Sequence, residues 1–265
     1  MKQKKQSALS WEALRKEAVE VAEKEPLLKS LLEQLIIRHD GFAQALTAIL
    51  ANRCLFLHEG VNLHRAIGNA LEKDKSIAEN AAYDLAVIVE KDPAAGNFLE
   101  PLLFYKGYHS LELYRIAHQL WLEGRRHLAC YIQSRVSQLY GVDIHPAARI
   151  GKGIFIDHAT GLVVGETAIV EDNVSFLHGV TLGGTGKETG KRHPTIKKNC
   201  LLGANSTVLG NIVVGEGSII GAGSVVLHAV PPHSLAAGVP AANKGNIRIP
   251  KPANSMNQIF DDYMI

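Results

Sequence analysis

One short stretch of the sequence, DIHPAARIGKGIFIDHATG, begins at Asp143 and contains Asp157 and His158. Imidazole titrates near neutral pH, so a positioned histidine can act as the general base that activates a weak nucleophile such as a hydroxyl. A carboxylate that holds the second ring nitrogen completes such a base, and the substrate then supplies the nucleophile. The alternative role is structural, because a histidine at a chain corner can simply hydrogen-bond a neighbouring turn.

A repeat of six residues sets the elements around this stretch and begins beyond Gly141. Short β-branched segments alternate with glycine or aspartate, so each hexad predicts a short strand followed by a corner. Three such sides form one coil of about eighteen residues in a triangular prism, which places Asp143 most of one turn before His158. The period of two that a β-sandwich strand shows does not fit. The repeated aliphatic positions are Ile144, Ile150, Ile156, Leu162, Ala168, Val174 and Val180, then Ile196, Leu202, Val208, Val214, Ile220 and Val226.

An insertion separates the two registers of this repeat. Its sequence, LGGTGKETGKRHPT, is rich in glycine and lysine and cannot continue the hexads. We expect residues 183–195 to leave the prism as an exposed loop. Loops held on a rigid scaffold are where catalytic and binding residues are often found.

The residues before the repeat show helical spacing instead. Apolar side chains recur on one helical face in segments such as PLLKSLLEQLIIRH. Ser10 is predicted to cap the first helix, and Ser76 opens a capping-box sequence, SIAE. The sequence therefore predicts an α+β chain. An all-α domain over residues 1–140 precedes a repeat domain over 141–245 and a flexible C-terminal tail over 246–265.

Composition limits the class of protein. The chain has 265 residues, with 28 Lys and Arg against 26 Asp and Glu, so its charge predicts neither a nucleic-acid partner nor an anionic membrane. Its three cysteines are widely spaced, which predicts no disulfide framework and no structural zinc site. The sequence contains no signal-peptide core and no apolar run long enough to span a membrane. We expect a cytoplasmic protein.

The motifs of the repeat domain resemble those of a known enzyme family. The sequences DHATG, GGTGK and RHP, together with GAGSVVL and VPPHSLAAGVPA, are similar to bacterial serine O-acetyltransferase. The resemblance runs from about Lys91 to the end of the chain, with weaker helical similarity before it. Hexapeptide repeats are shared by a whole acyltransferase superfamily, so the inserted motifs carry the specific likeness.

This resemblance implies a fold, an assembly and a reaction. The fold is an all-α N-terminal domain followed by a left-handed parallel β-helix. The assembly is a trimer or a dimer of trimers that pairs through the helical domains. The reaction moves acetyl from acetyl-CoA to the hydroxyl of L-serine and gives O-acetyl-L-serine and CoA in cysteine biosynthesis. Acetyl-CoA is then a co-substrate, and no cofactor is bound permanently.

The resemblance also assigns roles to single residues. His158 and Asp143 match the catalytic pair. The residues that hold the amino-acid substrate match Asp92, Asp157, Arg192 and His193. An acid pair for an ammonium and an Arg/His pair for a carboxylate make a sensible amino-acid clamp.

A second group of matched positions concerns acetyl-CoA. Gly183, Gly184, Ala204 and Ala222 offer bare backbone along which a pantetheine arm can lie. For each of these four residues, corner geometry alone is an equally good explanation.

The last residue of the chain, Ile265, matches the family's partner-binding position. In the family this isoleucine inserts into O-acetylserine sulfhydrylase, although a frayed tail is the ordinary expectation. The family is also inhibited by L-cysteine, which we expect to compete with serine at the same clamp.

The sequence departs from the family's pattern at two places. His178 lies where relatives often have glutamine, and we expect a satisfied structural histidine there. The loop also lacks the GGD that commonly precedes RHP.

Three other functions remain open at this point. One is a sugar or antibiotic acetyltransferase of the same fold. Another is a carbonic anhydrase-like protein with His158, His178 and His193 as zinc ligands. The third is an inactive regulator of the sulfhydrylase, against which the retained His158 and Asp143 argue.

Overall fold

Helices and then short strands follow one another in the computed structural model, which describes residues 9–54, 61–187 and 189–258. A 3₁₀ turn (Pro26–Leu28) precedes the second helix and a π turn (Glu33–Ile37) follows it. The helices are α1 (Trp11–Lys24), α2 (Lys29–Leu32), α3 (Phe42–Cys54), α4 (Leu63–Lys73), α5 (Ser76–Lys91), α6 (Leu99–Phe104), α7 (Lys106–Leu122), α8 (Arg126–Tyr140) and α9 (Pro252–Ser255).

The strands begin directly after α8, and most are only two residues long. They are β1 (Asp143–Ile144), β2 (Arg149–Ile150), β3 (Phe155–Ile156), β4 (Val163–Val164), β5 (Ile169–Val170), β6 (Ser175–Phe176), β7 (Thr181–Gly183), β8 (Thr195–Ile196), β9 (Leu201–Leu202), β10 (Thr207–Leu209), β11 (Val213–Val214), β12 (Ile219–Ile220), β13 (Val225–Val226), β14 (Ser234–Gly238) and β15 (Ala241–Asn246). The change from helix to strand thus falls between Tyr140 and Asp143.

Three parallel sheets form the sides of a prism. The first sheet has the order β1-β4-β7-β10-β13, the second β2-β5-β8-β11, and the third β3-β6-β9-β12-β14 with β15 added antiparallel. The repeated aliphatic side chains point inward, and all of them except Ile150 are buried. This arrangement confirms the predicted fold class, an all-α N-terminal region followed by a left-handed parallel β-helix.

The predicted insertion does leave the prism without disturbing it. Strand β7 ends at Gly183 and β8 begins at Thr195, which pairs in register with Ile169 and Val213. The strand pairing of the coil therefore continues in register after the loop.

The ends of the helices test two further predictions. Ser10 caps α1 as expected, because its side chain accepts a hydrogen bond from the backbone N–H of Ala13 at 3.3 Å. The prediction of a capping box at Ser76 was wrong. There the side chain of Asp74 accepts from the N–H of Ser76 at 2.9 Å, so the acid two residues earlier satisfies the orphan donor.

Helices α5 and α7 hold the helical region against the first coil. Asp84 is fully buried and accepts a hydrogen bond from the backbone N–H of Ile154 at 2.9 Å. Arg115 pairs with Asp84 and also donates to the carbonyl of Gly151 at 2.8 Å. Tyr114 donates to the carbonyl of Ala148 at 2.6 Å. Buried polar side chains therefore bridge the two parts.

Gly107 lies where α7 touches the prism. A Cβ at this position would stand 2.1 Å from the carbonyl oxygen of Ile156, which is backbone and cannot move aside cheaply. We expect Gly107→Ala to lower the free energy of unfolding by about 1–3 kcal/mol, as overpacked sites do. Gly96→Ala is the control, because a Cβ there would meet nothing within 4 Å. Urea unfolding with equal midpoints for the two variants would contradict this packing.

No helix in the described ranges is long and apolar enough to cross a membrane.

Candidate active site

One corner of the prism, where the third sheet leads into the first, carries His158. Four successive coils place residues there, because β3, β6, β9 and β12 pair in register. We call this corner the His158 edge, formed by Asp157, His158, Leu177, His178, Gly203, Ala204, Gly221 and Ala222.

The local backbone turns His158 outward. His158 and Ala159 both have positive φ, 54° and 56°, in a tight turn in which the N–H of Ala159 donates to the carbonyl of Asp157 at 2.7 Å. Ala159 is fully buried and anchors this turn, whereas the side chain of His158 is 78% exposed. Its Nε2 lies 3.8 Å from Oδ1 of Asp157. The imidazole is therefore accessible to a substrate.

Two carboxylates flank this imidazole. Burial raises the pKa of Asp157, the neighbouring His158 opposes that rise, and the charge of Asp92 adds to it. Tyr105 hydrogen-bonds Asp92, and burial together with that bond raises the pKa of Tyr105 to about 12. Asp92 ends α5, with Oδ1 accepting from the N–H of Ala94 at 2.8 Å. The structure thus brings Asp92 and Asp157 together beside His158.

Asp143 occupies the first strand on the same side of the prism. Its partner in register is Val163, in the strand that follows His158. Its Oδ1 accepts a hydrogen bond from Nε2 of Gln133 at 2.7 Å. Within the described residues no direct hydrogen bond joins Asp143 to His158, so the catalytic role of this pair stays a prediction.

His178 is the other imidazole on the His158 edge. The rings of His158 and His178 have centroids 6.4 Å apart. Nδ1 of His178 is buried and has no hydrogen-bond partner among the described residues. The expectation of a satisfied structural histidine was therefore wrong, since the position leaves a polar atom unpaired next to the candidate base.

The next corner, where the first sheet leads into the second, carries the remaining predicted clamp residues. We call it the His193 edge, formed by His145, Gly165, Glu166, Thr167 and Gly184 together with Arg192 and His193 of the inserted loop. Arg192 Nη2 lies 2.5 Å from Oε2 of Glu166, and this hydrogen bond holds the pKa of Glu166 below its usual range.

The inserted loop is fixed at its C-terminal end. Nζ of Lys191 donates to the carbonyl of Thr167 at 2.8 Å and also to that of His193. Burial, followed by the charges of Arg192 and Lys191, lowers the pKa of His193. His193 is therefore a neutral imidazole beside a guanidinium at neutral pH.

Within one chain the predicted residues do not meet at one point. Asp157 and His158 belong to the His158 edge, and Asp92 at the end of α5 is close to Asp157. Arg192 and His193 belong to the His193 edge. Strand β4 lies between the two corners. The candidate acetyl-CoA residues divide in the same way, since Ala204 and Ala222 lie on the first edge and Gly183 and Gly184 adjoin the second.

The separation of the two edges also concerns the alternative function, a zinc site formed by three histidines. His158 and His178 share an edge, but His193 lies on the other one. Among the described residues no group of three or more His, Cys, Asp or Glu side chains could hold a metal ion. One chain therefore does not assemble the proposed trio of ligands.

Several residues at these corners were not foreseen. Tyr105 and Gln133 come from the helical region and contact Asp92 and Asp143, respectively. Glu166 and Thr167 hold the residues of the loop. In the sequence, Glu166 and Thr167 are marked only by their position in the segment VVGETA. The spacing of the repeat does not show which coil the inserted loop contacts.

Comparison with known proteins adds a finding that covers nearly the whole chain. A family model described as "Serine acetyltransferase, N-terminal" matches residues 10–113, and one described as "Bacterial transferase hexapeptide (six repeats)" matches residues 193–228. The serine acetyltransferase of Salmonella typhimurium is 46% identical over 252 residues, which are 95% of this chain and 92% of that protein. The chain belongs to the serine acetyltransferase family.

Solved members of the serine acetyltransferase family share the fold. The Vibrio cholerae enzyme has a TM-score of 0.92 and 51% identity, covering 95% of this chain and 98% of its own. A serine acetyltransferase in complex with cysteine has a TM-score of 0.91 and 46% identity, covering 94% and 98%. The Brucella abortus enzyme in complex with coenzyme A has a TM-score of 0.87 and 45% identity, covering 89% and 95%.

Proposed function

We propose that this protein transfers acetyl from acetyl-CoA to the hydroxyl of L-serine, giving O-acetyl-L-serine and CoA in cysteine biosynthesis. The observation that carries the proposal is the chemistry of the two edges. The His158 edge offers a base and two nearby carboxylates, and the His193 edge offers a guanidinium and a neutral imidazole. Together they complement an amino acid with a nucleophilic side chain. Membership of the serine acetyltransferase family supports the same activity.

His158 is the general base of the proposed reaction. It takes the proton of the serine hydroxyl while the hydroxyl oxygen attacks the thioester carbonyl of acetyl-CoA. The tetrahedral intermediate then expels the CoA thiolate, which receives the proton back from the imidazolium. Asp143 orients the ring, as the acid does in other His/Asp pairs.

The clamp residues hold the two charged groups of serine. Asp92 and Asp157 face the ammonium, and Arg192 with His193 faces the carboxylate. Because Arg192 pairs with Glu166 in the free chain, a substrate carboxylate competes with Glu166 for the guanidinium. Both ends of serine are then fixed, which leaves its hydroxyl beside His158.

Acetyl-CoA is the co-substrate, and no permanently bound cofactor is required. Ala204 and Ala222 lie one coil apart on the His158 edge, where the N–H of Gly223 donates to the carbonyl of Ala204 at 2.8 Å. An extended pantetheine arm can follow these small side chains toward His158. Gly183 and Gly184 bound the other side of the proposed channel.

We also propose that the complete site forms between two copies of the chain. A neighbouring copy that packs its His193 edge against the His158 edge brings the divided clamp together. Three copies close such a ring around the threefold shape of the prism, so a trimer is the smallest assembly proposed. Pairing of trimers through the helical region of residues 1–140 gives a hexamer.

The test of the reaction is thiol release from acetyl-CoA with L-serine. L-Threonine, L-homoserine, galactosides and chloramphenicol are the competing acceptors. We expect release to be selective for serine. Selectivity for a sugar or for chloramphenicol would leave the fold intact and reject the substrate, and no release with any acceptor would favour an inactive regulator.

L-Cysteine is proposed as a competitive inhibitor, because it presents the same ammonium and carboxylate with a thiol in place of the hydroxyl. The cysteine complex of a related enzyme supports this. We expect the apparent KM for serine to rise in proportion to cysteine concentration while kcat stays constant. Initial rates at several fixed cysteine concentrations check this, and a fall in kcat at saturating serine would contradict it.

A partner is proposed for the end of the chain. Ile265, which lies outside the described residues, is proposed to bind O-acetylserine sulfhydrylase through its side chain and free carboxylate. Deleting Ile265 should abolish co-purification with that enzyme and leave serine acetylation unchanged. We propose a cytoplasmic location for this chain, in agreement with its few, widely spaced cysteines.

A further inference from the structure

The side-chain hydroxyl of Thr167 contacts two residues of the inserted loop. Its Oγ1 accepts hydrogen bonds from the backbone N–H of Arg192 at 3.0 Å and of His193 at 3.1 Å. The same oxygen lies 2.9 Å from Nδ1 of His193. One hydroxyl thus holds both residues of the proposed carboxylate clamp.

These contacts determine which nitrogen of His193 carries the proton. The backbone N–H of Thr167 lies 3.1 Å from Nδ1, and an N–H can only donate. Oγ1 already accepts two bonds, so its own proton is available for Nδ1 as well. Nδ1 is therefore an acceptor, and the proton of the neutral ring is on Nε2.

Nε2 of His193 lies against bare backbone. A Cβ on Gly165 would stand 2.1 Å from Nε2, and one on Gly184 would stand 3.6 Å from it. The ring therefore occupies the place that a side chain at Gly165 would take, and His193 is 8% exposed. Among the described residues the hydrogen bonds of this ring all involve Nδ1, so the proton on Nε2 remains for a ligand.

We infer that Thr167 is a positioning residue, which locks His193 as a neutral Nε2–H donor to the substrate carboxylate beside Arg192. The inference rests on the proposed function for the identity of the ligand, but the tautomer does not depend on it. Arg192 supplies the positive charge, and His193 supplies a directed hydrogen bond without a second charge.

The charges around His193 agree with a neutral ring. Arg192 and Lys191 disfavour an imidazolium, Glu166 favours it, and the nearby His145 disfavours it when charged. Protonation would also place a hydrogen on Nδ1 against the N–H of Thr167.

The kinetic test compares two substitutions. Thr167→Val has nearly the same shape and removes the hydroxyl, whereas Thr167→Ser retains it. We expect Thr167→Val to raise the KM for serine about tenfold, with kcat changed less than about threefold and the KM for acetyl-CoA unchanged. Thr167→Ser should restore the KM for serine. An unchanged KM in Thr167→Val, or an equal loss in both variants, would overturn the positioning role.

A spectroscopic test needs no substrate. The protein is labelled with ¹⁵N-histidine, and His193→Gln identifies the His193 signals. At neutral pH Nδ1 should have the shift of an unprotonated acceptor in the parent protein and in Thr167→Ser, and an averaged shift in Thr167→Val. A proton on Nδ1 in the parent protein would overturn the tautomer. If His193 has the expected tautomer but the protein does not acetylate serine, the proposed function and the carboxylate ligand are rejected. The tautomer assignment then stands.

Discussion

His158→Ala is expected to lower kcat for acetyl transfer to serine by about 10²–10⁴-fold, the usual contribution of a positioned general base. The serine hydroxyl is almost entirely protonated at neutral pH, so attack on the thioester depends on removal of its proton. The KM for acetyl-CoA should change little, because the proposed channel uses Ala204 and Ala222. Steady-state thiol release with saturating substrates measures the effect.

His127→Ala is the matched control for this variant. His127 is also an exposed histidine, but it lies on α8 and belongs to neither edge. We expect it to have the parent kcat. Full activity of His158→Ala would show that another group removes the proton. His178, whose Nδ1 has no hydrogen-bond partner among the described residues, would then be the first to examine.

The second large effect is expected on stability. Asp84→Asn should lower the free energy of unfolding by about 3–5 kcal/mol, because it leaves the guanidinium of Arg115 buried without its closest charged partner. Arg115 has only 6% of its side chain exposed and Asp84 none. Urea unfolding at one fixed protein concentration checks this, since assembly also affects the midpoint. A loss below about 1 kcal/mol would mean that water or Glu112 replaces the lost charge.

Glu112 provides the contrast within the same cluster. It is fully buried, and Arg115 Nε lies 3.4 Å from its Oε2. Burial, with a further contribution from the charge of Asp84, raises the pKa of Glu112 well above its usual range. Burial therefore favours the protonated form of Glu112 in the folded chain, and Gln has nearly the same shape without a proton to lose. We expect Glu112→Gln to be at least as stable as the parent at neutral pH, because ionisation of Glu112 favours unfolding of the parent.

The sign of the pH dependence follows from that raised pKa. A carboxyl that is protonated in the folded chain and ionised in the unfolded one stabilises the fold most below its unfolded pKa. This stability is lost as the pH rises toward the folded pKa. Unfolding of the parent protein should show this decline as the pH rises above the unfolded pKa of glutamate, about 4.3, and Glu112→Gln should lack that part of it.

The hexad period was sufficient to predict the prism, because one buried aliphatic side chain per side is what a triangular coil requires. It also predicted the insertion, since Val180 and Ile196 are out of phase in the sequence. The prediction of a capping box at Ser76 was wrong for a local reason, although α5 does begin there. An acid two residues earlier, Asp74, competed for the same donor.

The division of the site between two edges could not be predicted in the same way. His158 and His193 belong to neighbouring corners, and the sequence gives no sign of which corner a long loop returns to. The contacts of Thr167 depend on where that loop folds back. The buried position of Asp84 was also hidden, because its place on α5 has helical spacing but the wrong polarity for a core.

The antiparallel strand β15 has a consequence for the whole coil. A parallel β-helix ends in an open strand edge that can accept another strand, and such edges promote fibre growth. Here β15 runs against β14, and their register shifts between Leu235 and Ala236. β15 also carries a charged residue, the half-buried Lys244. A further coil cannot continue in register from this strand, so β15 closes the third sheet of the prism against the parallel addition of another chain.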